Sequence, residues 1–223
     1  MKRLVGLLTL LCLIVPSATA CGKTKSATPP SERLAAAQKL LDATSGLQID
    51  LHTDKLPEGI NGLLMAKGVG TKAPAFQGDI RVVTDGLPAG VPVIAVDGKV
   101  YINLGTWKPI DPADFGAPDP ATLFGTSGGL SGLLTQVSNP KAGKDTRRGD
   151  HVYSTISGTI PGSAVKALVP QAAETEFAAT FLVDDKNKLW QVVIKGPFYP
   201  KAEDVTYTID LADYGTTATI TKP

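Results

Sequence analysis

From Leu47 onward, run after run of this chain repeats its apolar residues at every second position, and that period restricts the fold more than any other feature. Leu47, Ile49 and Leu51 alternate with Gln48, Asp50 and His52. Phe76, Ile80 and Val82 alternate with Gln77, Asp79 and Arg81, and Val205, Tyr207, Ile209 and Leu211 with Thr206, Thr208 and Asp210. Successive side chains of a strand point to opposite faces, so each run has one apolar and one wet face. A sheet with one solvated face is typically antiparallel. Residues 91–96 and 99–104 flank Asp97-Gly98, a pair suited to the two positive φ angles of a tight hairpin turn. Further strands are expected over 63–69, 152–159, 177–183 and 189–195, with 216–221 as a final edge strand.

Three segments carry a helical period instead. In residues 31–44, Leu34, Ala37, Leu41 and Thr44 fall on one stripe with Leu40 beside it. Ser31 is placed to cap this helix, Glu32 suits its positive end, and Gly46 suits its stop. Asp119-Pro120 offers a cap and a first-turn proline. Leu130, Leu133, Leu134 and Val137 then follow at i, i+3, i+4 and i+7, and Asn139-Pro140 ends the run. A short helix over 163–169 is closed by Pro170. About ten strands with three helices between groups of them make an α+β fold, and one sheet of that size coils because strands twist. The expectation is a strongly curved antiparallel sheet with helices on its concave side. In the strand 76–83, Phe76, Gly78, Ile80 and Val82 share one face. Gln77, Asp79 and Arg81 belong in water, so the first set faces the helices, and the stripe Leu130, Leu133, Leu134 and Val137 forms part of the opposing wall.

The N-terminus has a different character. Lys2 and Arg3 precede an apolar run over 4–15, too short to span a bilayer, followed by Pro16 and Ser17-Ala18-Thr19-Ala20-Cys21-Gly22. This is the layout of a bacterial lipoprotein signal, with Ala18 where leucine is usual. Ala18-Thr19-Ala20 also suits ordinary secretory cleavage after Ala20. The expected division is a signal peptide over 1–20, a lipidated tether over 21–30 and a single domain over 31–223. Cys21 is the lipid attachment residue, and the expected location is the outer face of the cell membrane or the cell wall. Loss of Lys2 and Arg3 reduces the 22 basic residues to 20 against 21 acidic ones, which gives nucleic acid no electrostatic footprint. Of the two cysteines, Cys12 leaves with the leader and Cys21 is acylated, so no disulfide supports the fold.

Catalytic signals are weak. Gly125-Thr126-Ser127-Gly128-Gly129 matches G-x-S-x-G, with Asp145 and His151 following in hydrolase order. A nucleophile elbow needs a strand before it and a parallel sheet around it, and neither is expected here. His52 and His151 lack partners at zinc-ligand spacing, and Asp111, Asp114 and Asp119 do not follow a calcium loop. They read as caps and turn formers. Gly68-Val69-Gly70 is too short for a phosphate loop. No enzyme, metal or cofactor is expected.

The chain after Cys21 resembles the LprG/LppX/LprA/LprF family of actinobacterial cell-envelope lipoproteins. The resemblance rests on the order and spacing of Ala43-Thr44-Ser45-Gly46-Leu47, Gln77-Gly78-Asp79-Ile80, Val96-Asp97-Gly98-Lys99-Val100-Tyr101 and Asp114-Phe115-Gly116. It continues through Gly129-Leu130-Ser131-Gly132-Leu133-Leu134, Ile156-Ser157-Gly158-Thr159-Ile160-Pro161, Thr180-Phe181-Leu182-Val183-Asp184 and Tyr214-Gly215. One departure is the proline-bearing stretch from Gly86 to Pro92. The resemblance implies a half-barrel enclosing an apolar cavity, in which Ile80 aligns with a lining position. It implies carriage of multi-acylated lipids or glycolipids across the envelope, with a membrane lipid exporter as a further partner and no catalysis. Two sixteen-carbon chains hold about 30 methylenes, and exposing them to water costs roughly 24 kcal/mol, so an aqueous carrier has to shield nearly all of each chain. The alternative is an anchored scaffold or interaction lipoprotein in which the same residues pack a filled core.

Overall fold

The computed structural model describes residues 28–115, 117–125 and 129–223. The leader, Cys21 and most of the tether lie outside the described residues, as does Ser127.

The described strands join one antiparallel sheet of 12 strands, more than the sequence suggested. A first meander runs through β1 (Gly46–His52), β2 (Gly62–Thr71), β3 (Ala75–Thr84), β4 (Leu87–Val96), β5 (Lys99–Asn103) and β6 (Trp107–Ile110). The second half holds β7 (Ser138–Ala142), β8 (Thr146–Arg148), β9 (His151–Ile160), β10 (Phe177–Val183), β11 (Leu189–Gly196) and β12 (Val205–Ala212). Their order is β6-β5-β4-β3-β2-β1-β12-β11-β10-β9-β7, with β8 pairing β9. The β1–β12 seam, with Ile49 opposite Leu211 and Leu51 opposite Ile209, joins the two meanders into one strongly curved surface.

Among the described residues, three α-helices lie against the face that carries Leu47, Ile49, Phe76, Val93 and Phe181, all of them buried. α1 (Pro30–Ala43) places Leu34, Ala37 and Leu41 on its buried stripe, and Leu40 stays 41% exposed. Ser31 does not cap it. The cap position falls on Pro29, and Pro30 opens the first turn, where a missing N–H costs nothing. Near its start the Arg33 Nε donates to Asn187 Oδ1 at 2.9 Å, beside the β10–β11 turn. Near its end Asp42 pairs with Lys72, after β2, at 3.2 Å. Fourteen helical residues span about 21 Å, close to the roughly 19 Å across the four strand spacings from β10 to β2. α1 is thus a tie bar across the seam.

α2 (Leu130–Thr135) is shorter than its period implied, and Val137 lies beyond it. Asn139 has a φ of 50°, and the chain turns there into β7, so Asn139-Pro140 belongs to a strand and not to a simple helix stop. Asp119 caps as expected, accepting from the Ala121 N–H at 2.9 Å, but what it caps is a separate 3-10 turn, Pro120–Phe124. α3 (Gly162–Lys166) is also shorter than expected.

The Asp97-Gly98 hairpin forms, with φ of 54° and 67°. Asp85-Gly86 makes a second one by the same chemistry, with φ of 52° and 75°. The prolines of β4 leave the β3–β4 register unbroken from Thr84 opposite Leu87 to Phe76 opposite Ala95. β5 pairs only with Val93 to Val96, so Pro88 and Pro92 sit where β4 is an edge and a missing N–H is tolerated. The expected strand over 216–221 does not form. That segment is irregular and crosses the outer face, where Ile220 packs on Ala75, Ile94, Val96 and Tyr101.

Candidate functional site

The inner floor of the sheet is built from alternate residues of the strands. On β3, Phe76 is buried while Ile80 and Val82 are half-buried, and Gln77, Asp79 and Arg81 are exposed on the other side. Ile80 packs against the main core, in which Leu130, Leu133 and Leu134 are each 3% exposed or less. Val82 shares the face of Ile80, nearer the Asp85-Gly86 turn. Val137 sits elsewhere. It packs over Gly158 of β9, where an added Cβ would come within 2.6 Å of its methyl group, so it covers the second wing of the sheet and does not oppose β3.

Sequence reasoning missed the feature that fills the middle of this floor. Gly68 and Gly70 of β2 and Gly78 of β3 leave a strip without side chains, with Gly68 opposite Gly78. A glycine inside a strand marks a close approach by another group. At Gly70 the group is Phe124, at the end of the 3-10 turn, while Gly68 and Gly78 approach each other's backbone. A Cβ on Gly70 would come within 2.0 Å of its ring. Gly68-Val69-Gly70, noted only for what it is not, carried that signal in its alternate spacing.

Beside Phe124 lies a narrow slot of about 20 Å³ between α1, the start of β1 and α2, lined by Leu41, Leu47, Leu123, Phe124, Leu130 and Ser131 among others. That is room for about one water and far less than an acyl chain needs. Around it the buried side chains of the floor and helices form one apolar cluster, with Ile80 and Val137 partly buried at its margin.

The polar groups of the inner face are few. The Tyr199 and Tyr207 hydroxyls lie 2.6 Å apart, and Tyr207 donates to the Leu63 carbonyl at 2.7 Å. Burial pushes both phenols upward from their usual range, Tyr207 the further of the two, so both stay neutral. His52 is half-exposed, 3.5 Å from Asp50. His151 is exposed near Trp190, on the far wing. Asp111 caps its own turn through the Ala113 N–H at 2.9 Å. Gly125 and Gly129 lie between a 3-10 turn and a helix, in an antiparallel sheet, so the setting of a nucleophile elbow is missing there. Chemically, the inner face offers apolar contact and a few neutral hydroxyls.

The LppX_LprAFG lipoprotein family matches residues 29–220, which take in every strand and helix described above. The chain belongs to this family. Along 99% of its length it is 26% identical to the "Lipoarabinomannan carrier protein LprG" of Mycolicibacterium hassiacum, covering 98% of that protein. The crystal structure of LprF from Mycobacterium bovis superposes with a TM-score of 0.71 at 18% identity, covering 87% of this chain and 96% of that one. LppX from Mycobacterium tuberculosis superposes at 0.62 and 16% identity, covering 86% and 97%. The curved antiparallel fold is therefore that of LppX_LprAFG lipoproteins, as the sequence motifs implied.

Proposed function

We propose that this lipoprotein is anchored through Cys21 to the outer face of the cell membrane and carries multi-acylated lipids or glycolipids on the inner face of its sheet. The observation that carries the reading is the apolar floor itself. It runs from the packed zone at Phe76 to a half-buried strip at Ile80, Val82 and Val91, which no helix among the described residues fully covers. The name of the LprG relative, a lipoarabinomannan carrier, supports the ligand class. Acyl chains would extend the strip by displacing side chains that now fill the middle, Phe124 first. Transfer is near balanced in free energy, because the chains leave one apolar environment for another. The proposed lining is Phe76, Ile80, Val82, Leu130, Leu133 and Leu134, with Val137 on the second wing. The leader over 1–20, the tether over 21–30 and the folded unit over 31–223 are part of this proposal, as is a partner exporter in the membrane.

Native mass spectrometry of the intact purified protein tests both parts. Acyl mass on Cys21 and co-purifying lipid are expected, and Cys21→Ala moves the protein to the soluble fraction. A second reading, an anchored scaffold with a filled core, is favoured by the small size of the slot beside Phe124. Protein that never co-purifies with lipid and takes up none in vitro would establish it in place of the carrier.

A further inference from the structure

We propose that the slot beside Phe124 is a subsite for the ester linkage of an acylated lipid, with the Ser131 hydroxyl as its donor. The inference rests on the lipid-carrying reading above and adds to it a preference for ester-linked over ether-linked chains.

Ser131 lies in α2, is 2% exposed and lines the slot. Its Oγ has no hydrogen-bond partner among the described residues. For a plain core position this is a poor choice. Alanine has the higher helix propensity and no polar atom to strip of water. The other polar side chains around the slot are engaged. Thr44 Oγ1 donates to the Gly46 carbonyl at 2.9 Å and accepts from the Gly215 N–H at 2.8 Å. Thr71 Oγ1 donates to the Ala73 carbonyl at 2.7 Å, and the Lys72 ammonium is held by Asp42. Ser131 therefore holds the unspent donor, in a setting otherwise walled by Leu41, Leu47, Leu123 and Leu130.

That setting selects the acceptor. A phosphate or a free carboxylate would be buried without a free cation beside it, which is strongly unfavourable. A neutral carbonyl attached to apolar chains meets both requirements, since its oxygen takes the hydroxyl proton and its chains take the leucine walls. The slot already has the volume of one such oxygen or one water. Once Phe124 yields, the chains on either side would run over the glycine strip.

The test compares two probes with the same chain length, dipalmitoylglycerol and its ether counterpart dihexadecylglycerol, which lacks the carbonyls. Each is titrated into the full chain freed of co-purified lipid. One net hydrogen bond predicts a preference for the ester of roughly three- to tenfold. In Ser131→Ala the preference falls to about one, ether binding is unchanged and the melting temperature does not drop. Ser131→Cys, a weaker donor of similar size, keeps an intermediate preference. Equal wild-type affinity for the two lipids overturns the subsite and leaves the carrier intact, and is the result expected if the slot holds only water. An ester preference that survives in Ser131→Ala also overturns it. Wild type that binds neither lipid overturns the subsite, and it sinks the carrier reading as well only if the protein also never co-purifies with lipid.

Discussion

The ring of Phe124 stacks on that of Phe76 with centroids 6.3 Å apart and planes 14° from parallel. One ring belongs to a central strand. The other sits at the end of a 3-10 turn tied by the Asp119 cap, by the Thr122 N–H and hydroxyl on the Asp119 carbonyl, and by the Gly125 N–H on the Thr122 carbonyl. The pair lies on the inner face of the sheet, and Phe124 is the partner that sits over Gly70.

Phe124→Ala should therefore lower stability by about 3–5 kcal/mol, as deletion of a buried aromatic does, and at the same time speed the uptake of a fluorescent acyl probe. Phe181→Ala is the control. Phe181 is fully buried on β10, and its removal leaves a cavity of the same kind on the other wing. Stopped-flow uptake should be faster for the Phe124 variant alone. An equal gain in both would mean that any apolar cavity admits the probe and that Phe124 is not a plug.

Ile80→Trp probes the open part of the same floor. Ile80 is half-buried and faces the helices, so the indole has space without overpacking, which would otherwise cost ~1–3 kcal/mol. The melting temperature should stay within a few degrees while co-purifying lipid falls sharply. A folded variant with unchanged lipid would place the ligand elsewhere, and one that cannot fold would favour the filled core.

How far the sequence could be read follows from how local each signal was. The alternation at Leu47, Ile49 and Leu51, and again at Val205 to Leu211, needs only neighbours two residues apart, and those strands formed as expected. Asp85-Gly86 carried the same local signal as Asp97-Gly98 and was masked by the prolines after it. What those prolines do depends on where β5 stops, a non-local fact. Ser31 reads as a cap until Pro30 is given the first-turn position. The stripe Leu130 to Val137 keeps its period for one turn more than the helix lasts, because Val137 is claimed by Gly158, twenty-one residues further on. The site is the least legible part. The meeting of Phe124 with Gly70 and the orphaned hydroxyl of Ser131 both arise from packing between segments far apart in the chain.

The buried tyrosine pair sets an alkaline limit. Both phenols have their pKa raised in the folded protein, by burial first, against an ordinary value of about 10. Folding thus favours the neutral form. Its contribution is fully present below about pH 10 and is lost as pH rises above that, where unfolded tyrosines release protons that the folded ones keep. Urea unfolding between about pH 8 and 11 should show stability falling. Tyr207→Phe should cost about 1–3 kcal/mol at neutral pH, because the Leu63 carbonyl and Tyr199 hydroxyl lose their partner, and should flatten the alkaline slope by about 1.4 kcal/mol per pH unit. An unchanged slope would mean that Tyr207 does not titrate with unfolding.

The chain after β12 offers a change that separates stability from binding. Tyr214 donates to the Leu189 carbonyl, and the Gly215 N–H donates to the Gly46 carbonyl at 3.0 Å, so the segment starts at the seam. It then crosses the outer face until Ile220 reaches Ile94, Val96 and Tyr101, and Lys222 approaches the Tyr101 ring at 6.0 Å. Those four core residues, Ala75 included, point away from the floor, since Phe76, Val93 and Ala95 between them point inward. Ile220→Asp puts a charge where a partly buried aliphatic packed. It should cost about 1–2 kcal/mol, or a few degrees of melting temperature, and should raise self-association by uncovering the patch, as read by sedimentation. Bound lipid should be unchanged, because the two faces of a sheet are separate surfaces. Lipid loss without a change in melting temperature would show that the outer face takes part in binding and that the ligand is not confined to the floor.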